Sequence, residues 1–462
     1  MDHSIKKRAA ALLSCKGRIS ASNSSMAAVW LHAQGAHCLK KRQPYSAMDK
    51  RQGSPEAVAM NSADADVTIV GGGMVGLSLA AALGSYGVRV VVVDRDPPAS
   101  LTAPAFDGRV SAVAMASHRL LTTTGVWRHV TEAQPILDIR VAEGDSPLFL
   151  HYDHRDVGDE PFGHMVENRL LRLALFARLK ELPTVRLLAP LGVKDSEQGP
   201  GLTGLHLSDG QTLRAPLIVS AEGRRSLLRE LAGIDCVAWD YEQVGIVLTV
   251  AHERDHRGVA IECFLPAGPF AMLPMCGQRS SLVWTEPKDR AGPLLKLPAA
   301  AFAAEMGRRF GDHLGALKIE GPRWSYPLSL HLAERYVDRR LALVGDSAHG
   351  IHPIAGQGLN LGFRDVAALA EVVVDAMRLG LDAGGADVLE RYQRWRRIDS
   401  LVLAATTDAL NRLFSNDIAP LRAARNLGMG AVNRIPPLKR FFMRHAMGTV
   451  GTLPRLLQGA AL

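Results

Sequence analysis

A glycine-rich turn lies between two apolar, β-type segments near residue 70. Residues 66–70 are a short apolar run, and residues 71–76 read Gly-Gly-Gly-Met-Val-Gly. Small, mostly apolar residues fill positions 75–85, and a valine-rich run at 88–94 ends in an aspartate. This pattern predicts a strand, a helix and a second strand. Because strands joined by a helix run parallel, the segment predicts a βαβ unit.

The glycine spacing in this turn is typical of sites that bind dinucleotides. Gly71 permits a tight turn, Gly73 lets the backbone approach a pyrophosphate, and Gly76 lets the helix pack on the strand. The helix N-terminus adds amide donors, and Asp94 can accept hydrogen bonds from an adenosine ribose. The turn alone does not distinguish FAD from NAD. The predicted site also includes Met74, Val75 and Arg95.

A second glycine-rich segment follows the apolar run 341–344 and leads to a helix predicted to begin at about residue 359. An aspartate at the end of the strand can hydrogen-bond a ligand hydroxyl, and the helix N-terminus can stabilise negative charge. The glycines allow the backbone to approach a ligand closely. The predicted binding residues in this segment are Gly345, Asp346, Pro353, Gly356, Gly358, Leu359 and Asn360.

Two further segments complete a family pattern: a basic strand-to-helix turn at 220–229, and residues 106–117, which begin with Phe106 and Asp107. In order and spacing, the motifs over residues 64–430 resemble the class A flavoprotein aromatic hydroxylases of the p-hydroxybenzoate hydroxylase fold. The run His-Pro-Ile-Ala-Gly-Gln-Gly-Leu-Asn at 352–360 is similar to the ubiquinone-biosynthesis hydroxylase branch. One departure is Glu222, which stands where the family usually has aspartate.

The resemblance implies FAD as the bound cofactor and NAD(P)H as a transient co-substrate. It places Arg109 and Arg169 near the flavin, and Asp346, Gly358 and Asn360 on its ribityl and ring portions. A single GxGxxG motif agrees with one resident dinucleotide. The resemblance also implicates the segment 222–229 in the encounter with NAD(P)H.

The implied activity is hydroxylation of the aromatic ring of a polyprenylated phenol in ubiquinone biosynthesis. Another aromatic hydroxylase, an epoxidase, or a flavin-binding subunit without turnover remain open alternatives. Because the cofactor carries the chemistry, no protein nucleophile is required, and no metal site is predicted. His349 and His352 are the candidates for proton transfer, although their place in a glycine-rich turn favours a positioning role.

The predicted fold class is α/β: a Rossmann-like FAD-binding domain, an inserted β-sheet substrate domain and a helical C-terminal region. The expected FAD-binding domain comprises residues 64–135, 160–236 and 326–385. The substrate domain comprises 136–159 and 237–325, and the helical region 386–462. Residues 165–182 have apolar positions at helical spacing and predict an amphipathic helix.

Basic charge is concentrated in residues 1–63, which hold ten of the 54 Lys and Arg but three of the 46 Asp and Glu. The remainder is nearly neutral, so the net charge of +8 does not indicate a nucleic-acid partner. Residues 1–63 are predicted to be an extension outside the domains. A mitochondrial presequence, a misassigned start with Met48 or Met60 as the true one, and a disordered tail remain open.

The expected location is the cytoplasm, or the mitochondrial matrix if residues 1–63 are a presequence. Five scattered cysteines agree with a reducing compartment. Residues 435–447 mix basic and bulky apolar side chains, as do helices that lie on anionic membranes. Peripheral association with the inner membrane, and membership of a multi-enzyme complex, are therefore expectations; packing on the protein's own surface is the alternative for this helix.

Overall fold

The computed structural model describes residues 63–102, 108–144, 146 and 149–462. The predictions for the basic extension, apart from residue 63 itself, lie outside the described residues, as do Phe106 and Asp107.

The described residues form β-strands and α-helices that alternate in the first part of the chain and become helical at its end. The strands are β1 (Val67–Val70), β2 (Val90–Val93), β3 (Val110–Ala114), β4 (Gln134–Ile136), β5 (Asp138–Glu143), β6 (Phe149–Asp153), β7 (Gly163–Glu167), β8 (Val185–Leu188), β9 (Val193–Gln198), β10 (Thr203–Leu207), β11 (Thr212–Ala215), β12 (Leu217–Ser220), β13 (Cys236–His252), β14 (Val259–Leu265), β15 (Gly268–Met275), β16 (Arg279–Pro287), β17 (Leu317–Ala333), β18 (Val337–Asp338), β19 (Leu341–Leu343) and β20 (His349–Gly350). The helices are α1 (Met74–Gly84), α2 (Pro98–Leu101), α3 (Met115–Thr123), α4 (Asn168–Lys180), α5 (Leu227–Leu231), α6 (Lys288–Leu295), α7 (Ala299–Phe310), α8 (Gln357–Arg378), α9 (Ala386–Phe414), α10 (Ala419–Arg434), α11 (Pro436–Ala446) and α12 (Arg455–Gln458).

A six-stranded sheet has the order β18-β19-β12-β1-β2-β8 and is parallel except between β18 and β19. Every residue of β1, β2 and β12 is buried, as expected for parallel strands covered on both faces. The carboxyl ends of parallel strands meet at one edge of a sheet, which is where ligands bind in this architecture. The turns after β1, β2, β12 and β19 therefore lie close together.

An eight-stranded sheet has the order β20-β17-β13-β16-β15-β14-β5-β6. Its strands are antiparallel except for the parallel pair β14 and β5. A β-bulge interrupts the pairing of β13 with β17 between Asp240 and Val244. Within the bulge, Glu242 adopts a positive φ of 56°, a conformation that L-residues other than Asn and Asp rarely take.

Two three-stranded sheets, β11-β10-β9 and β3-β7-β4, complete the strand pairing. The largest buried apolar cluster surrounds the parallel sheet and includes α1 and α8. A second cluster, called here the methionine cluster, joins strands of the eight-stranded sheet to the C-terminal helices. Its buried methionines are Met115, Met165, Met429, Met443 and Met447. A third cluster lies on the other face of the same sheet, under α6 and α7.

The α/β fold class and the helical C-terminal region are confirmed. The βαβ unit is present, with α1 starting at Met74 and β2 spanning Val90–Val93. The helix predicted over 165–182 is wrong at its start, because residues up to Glu167 belong to β7 and pair with β3. The helix predicted to begin at about Leu359 begins at Gln357. The division into cofactor, substrate and C-terminal regions stays a prediction.

Among the described residues, no helix combines the length and the apolar character needed to cross a bilayer. The same residues contain no group of three or more His, Cys, Asp and Glu side chains that could hold a metal ion.

Candidate active site

The glycine turn after β1 has no room for side chains at two of its positions. Gly71 has a φ of 110°, and a Cβ atom there would lie 2.3 Å from the carbonyl oxygen of Ala221. A Cβ atom at Gly76 would lie 2.0 Å from the carbonyl oxygen of Gly71. Gly71 therefore lets the turn pass close to Ala221, which follows β12, and Gly76 lets α1 pack against the turn that precedes it.

Gly73 differs from these two glycines, because a Cβ atom there would meet nothing within 4 Å and the residue is exposed. It is the N-cap of α1, and no side chain caps the helix. The first intrahelical bond runs from Leu77 N to Gly73 O at 2.9 Å. The amides of Met74, Val75 and Gly76 thus have no intrahelical acceptor and are available to an anion. This open cradle fits a pyrophosphate.

Asp94 lies directly after β2, beside the turn. Its carboxylate accepts hydrogen bonds from the amides of Gly72 and Asp96, the latter at 2.7 Å. Each oxygen keeps a lone pair for a ribose hydroxyl. The glycine motif leaves position 72 variable and so does not single out Gly72; a Cβ atom there would lie 2.8 Å from Asp94 Oδ2. Arg95 is exposed next to this carboxylate.

The second glycine-rich segment packs directly on the first, through Val75. A Cβ atom at Gly345, whose φ is 59°, would lie 3.2 Å from Val75 Cγ2, and one at Gly362 would lie 2.7 Å from the same atom. The start of α8 and the start of α1 are therefore in contact. The structure brings together the two motifs that lie furthest apart in the predicted site.

A buried charge network fixes the second segment. Asp365 is fully buried and accepts hydrogen bonds from Gly345 N at 2.9 Å, His349 Nε2 at 2.6 Å and Arg396 Nε at 2.8 Å. Burial alone would raise the pKa of Asp365, but the neighbouring His349 and Arg396 together lower it. Arg396 also donates to Asp399. His349 is thus held by Asp365 inside the protein, which supports the positioning role.

Asn360 uses its side chain to attach α8 to β3. Its Oδ1 accepts from Ala114 N at 2.9 Å, and its Nδ2 donates to Ala112 O at 2.8 Å and Gly356 O at 3.1 Å. The predicted contact of this side chain with the flavin stays a prediction. The structure adds a role in placing β3 beside the helix N-terminus.

The N-terminus of α8 has the open character seen at α1. Gly356 is its N-cap, with a left-handed φ of 62°, and no side chain caps the helix. A Cβ atom at Gly358 would meet nothing within 4 Å. Pro353 accepts a hydrogen bond from Gly356 N, and Leu359 lies in the first turn. These backbone groups can face a ring system that gains negative charge.

The two arginines implied by the resemblance are neighbours. Asn168 N donates to Arg109 O at 3.0 Å, so the backbone just before β3 lies against the start of α4, where Arg169 follows Asn168. The Arg109 guanidinium lies 5.2 Å from the ring centroid of Trp324, and that of Arg169 lies 3.9 Å from Glu167. Asp346 is exposed, with its carboxylate 3.6 Å from Arg224 Nε.

Glu222, the departure from the family pattern, acts as a cap. Its Oε2 accepts from Ser226 Oγ at 2.7 Å, Ser220 Oγ at 2.9 Å and Leu228 N at 3.1 Å. The longer side chain therefore reaches the N-terminus of α5. Arg229, buried nearby, donates to Ser347 O at 3.1 Å. This contact joins the middle motif to the segment after β19.

His352 is fully buried, and neither of its ring nitrogens has a hydrogen-bond partner. Burial lowers its pKa to about 4, so the ring is neutral at physiological pH. Its ring centroid lies 5.0 Å from that of Tyr241, edge to face. His349, three residues earlier, pairs with the Asp365 carboxylate, whereas His352 lies in surroundings that offer its ring no hydrogen bond.

A comparison with known protein families identifies the chain. The model of the FAD binding domain family matches residues 64–400. The chain belongs to this family. The match confirms the predicted family of FAD-dependent monooxygenases, which use NAD(P)H as co-substrate, and FAD as the cofactor. The assignment of individual residues to the cofactor stays a prediction, which the open glycine cradle and the two uncapped helix N-termini support.

Among its relatives, ubiquinone hydroxylase UbiL of Rhodospirillum rubrum is 57% identical over 423 residues, covering 91% of this chain and 97% of that protein. The 3-demethoxyubiquinol 3-hydroxylase of Escherichia coli is 36% identical over 392 residues, covering 84% of this chain and 100% of that protein. Among solved structures, p-nitrophenol 4-monooxygenase PnpA from Pseudomonas putida superposes with a TM-score of 0.70 at 20% identity, covering 83% of this chain and 98% of that one. This last likeness concerns the fold alone.

Proposed function

We propose that this protein is an FAD-dependent, NAD(P)H-using monooxygenase that hydroxylates the aromatic ring of a polyprenylated phenol in ubiquinone biosynthesis. The observation that carries the proposal is the 57% identity to a ubiquinone hydroxylase over 97% of its length. The intact glycine turn, Asp94 and the open start of α8 support it, because a flavin-dependent reaction needs a complete cofactor site.

In this proposal the chain's own residues bind the cofactor, orient it and exclude water from the reacting groups. Asp94 and the amides at the start of α1 hold the adenosine and pyrophosphate, while Asp346 and the start of α8 hold the ribityl chain and the ring. The bound cofactor supplies reduction by NAD(P)H and transfer of one oxygen atom from O2 to the phenol ring. The buried network around Asp365 keeps the second segment in place while these contacts form.

The methionine cluster is suited to the prenyl tail. It lies between the eight-stranded sheet and the C-terminal helices, and Phe264 stacks there on Phe414 with centroids 4.1 Å apart. Methionine side chains are flexible and fill irregular apolar space. Phe264 and Leu273 belong to this cluster, whereas Phe270 and Met272 point to the opposite face of the sheet, because neighbouring strand residues alternate.

The C-terminal helices carry a surface suited to an anionic membrane. Phe441 and Phe442 of α11 are 43% and 39% exposed, and Leu427 of α10 is 73% exposed. Exposed arginines at 434, 440 and 444 lie in or beside the same helix. A basic helix with exposed aromatic residues binds the interface of anionic lipids. We therefore place the protein at the inner membrane, where a polyprenylated substrate resides.

This membrane placement is tested by sedimentation with vesicles of phosphatidylglycerol and of phosphatidylcholine. The wild-type protein should sediment with the anionic vesicles, and a Phe441→Ser, Phe442→Ser double variant should remain in the supernatant. Equal binding of both proteins would contradict a role for α11.

The proposed reaction is tested by mass-spectrometric profiling of quinone intermediates in a strain that lacks the gene. A phenolic intermediate lacking one ring hydroxyl should accumulate. The purified, FAD-loaded protein should then oxidise NAD(P)H faster when that compound is added and should form the hydroxylated product. Normal ubiquinone in the deletion strain would contradict the pathway assignment. Accumulation of the intermediate without any turnover by the purified protein would instead favour a non-catalytic subunit.

A further inference from the structure

Helix α9 (Ala386–Phe414) carries an apolar face that no other part of the described chain covers. Its branched side chains are well exposed, Ile398 by 64%, Val402 by 57% and Leu413 by 42%. Side chains three, four and seven residues apart share one side of a helix, so these residues and their small neighbours form one continuous surface. This surface, called here the α9 stripe, consists of the exposed residues Ile398, Val402, Ala405, Thr406, Ala409 and Leu413.

The α9 stripe differs from an ordinary solvated helix face, because it contains no ionisable side chain. The Thr406 hydroxyl donates to the carbonyl oxygen one turn earlier at 2.8 Å, so its donor is used within the helix. The charged residues that border the stripe pair within the chain, Asp399 with arginines of α8 and α9, and Asp408 with Arg412. A contiguous exposed apolar surface of this kind indicates an interaction site.

The order of residues along the α9 stripe is symmetric about its midpoint, which lies between Ala405 and Thr406. At matched distances on either side of the midpoint lie the pairs Val402 with Ala409 and Ile398 with Leu413. If a second copy of α9 runs antiparallel to the first, each member of a pair therefore faces its counterpart on the other copy. A surface that is complementary to itself in this way is what a two-fold dimer interface requires.

The sizes of the side chains also suit two crossing helices. The small residues Ala405 and Ala409 lie at and near the midpoint, where they allow the helix axes to approach to about 8 Å. Ile398 and Leu413 lie at the two ends, where crossing helices diverge and a longer side chain is needed to fill the gap. The stripe is thus shaped for contact with another helix along its whole length.

The charges at the ends of the α9 stripe favour an antiparallel partner. Arg394 is exposed one turn before the stripe, and Asp417 lies three residues beyond the end of α9, with its side chain 64% exposed. An antiparallel partner brings Arg394 of one copy towards Asp417 of the other, whereas a parallel partner would bring the two arginines together. Exposed ion pairs contribute little to affinity, so these charges select the orientation and the apolar contact drives the pairing.

The α9 stripe lacks the features of the helix assigned to the membrane, α11. That helix combines the exposed rings of Phe441 and Phe442 with neighbouring arginines. Such basic and aromatic residues are what an anionic lipid interface binds. The stripe contains neither a basic nor an aromatic residue. Its composition therefore fits a protein partner better than lipid, and its symmetry fits a second copy of this chain.

We propose that the α9 stripe is a contact between two copies of this protein, which pair antiparallel about a two-fold axis at Ala405 and Thr406. One helix face is smaller than the about 800 Å² per partner of a standard interface. The pairing is therefore weak, with a dissociation constant in the micromolar range, and monomer and dimer exchange. This contact is independent of the proposed reaction.

The first test is analytical ultracentrifugation of the FAD-loaded protein over an about 100-fold range of concentration. The wild type should change from monomer to dimer. Ala405→Glu places two like charges opposite each other at the axis and should raise the dissociation constant by about 100-fold or more. Ala300→Glu, the same substitution at an exposed position of α7, is the matched control and should dimerise as the wild type does. Flavin content should be unchanged in both variants.

The second test reads the register of the two helices by disulfide cross-linking, in a protein whose five native cysteines are replaced by alanine. At about 1.5 Å per residue, the two copies of residue 405 lie within about 2 Å along the axis, but the two copies of residue 398 lie about 22 Å apart. Mild oxidation should therefore cross-link Ala405→Cys but not Ile398→Cys. A mixture of Ile398→Cys and Leu413→Cys should cross-link one protein to the other.

Several results would overturn the proposal. These are a wild-type protein that stays monomeric at every concentration, a dimer that Ala405→Glu does not weaken, and cross-linking of Ile398→Cys as readily as Ala405→Cys. The cysteine variants change side-chain size only slightly, so they test the contact even if the glutamate variant fails to fold. A monomeric wild type whose binding to phosphatidylglycerol vesicles is lost on Ala405→Glu would assign the stripe to lipid instead. None of these results bears on FAD binding or hydroxylation.

Discussion

Replacement of Gly73 by aspartate should separate cofactor binding from folding. The residue is exposed, its φ of −72° and ψ of 176° suit any L-residue, and an added Cβ atom meets nothing within 4 Å. Aspartate is also a favourable N-cap, so the stability of the apoprotein should change by only a few tenths of a kcal/mol. The space that the new side chain enters is the one assigned to the pyrophosphate.

The expected loss of affinity follows from the charge alone. Two unit charges 4 Å apart repel by about 4 kcal/mol at the effective dielectric constant of a protein surface. Salt and exposure reduce this to about 2–3 kcal/mol. The dissociation constant of FAD should then rise by about 30- to 150-fold relative to Gly73→Asn, which has the same shape without the charge.

The assay is titration of the apoproteins with FAD, followed by the change in flavin fluorescence, with thermal unfolding of each apoprotein as the folding control. Asparagine isolates the steric part of the effect, and aspartate adds the charge. If the aspartate and asparagine variants bound FAD with the same dissociation constant, the glycine turn would not hold the pyrophosphate and the assignment of the whole cradle would be wrong.

Three further predictions concern groups inside the fold. Asp365→Asn leaves the buried Arg396 with Asp399 as its remaining carboxylate partner and removes the carboxylate that binds His349. It should lower the free energy of unfolding by about 3 kcal/mol, measured by urea denaturation of the holoprotein; a loss below about 1 kcal/mol would mean that the network is not the main support of this segment. Burial lowers the pKa of His164 to about 4 from an ordinary 6.5; the unfolded chain alone takes up a proton between these values, so stability should fall as pH drops through this range. His164→Gln should flatten that slope, and an unchanged slope would assign it to other groups. Glu222→Asp restores the usual family residue but shortens the cap of α5, and should cost about 1 kcal/mol of stability; a more stable variant would contradict the capping role.

The sequence was most informative where structure is local. The βαβ unit around Gly71–Gly76 depends on runs of a few residues and on backbone freedom at glycine, both visible in the chain. Asp94 could be placed because the end of a parallel strand has a fixed relation to the neighbouring turn. The places of these motif residues in the fold were therefore predictable from pattern and resemblance, and their contacts with the cofactor stay a prediction.

Contacts between distant segments could not be predicted in the same way. The bond between Asp365 and Arg396 joins two helices, and nothing in either helix alone indicates that a charge is buried. The bulge at 241–243 exists only in relation to β17, which begins at Leu317. Residues 163–167 have apolar spacing compatible with helix or strand, and pairing with β3 decides the outcome.

The contact of Val75 with Gly345 and Gly362 makes one side chain a spacer between the two ends of the cofactor site. Its methyl groups set how far the pyrophosphate end lies from the ring end, because Gly345 and Gly362 already pack against them and have no side chain that could become smaller. The ribityl chain spans only a limited range of distances between the pyrophosphate and the ring, so the size of residue 75 is constrained from both directions. A larger residue would lengthen the gap, and alanine would let the two helices approach, in each case moving the reactive ring relative to the substrate without changing any residue that touches either one.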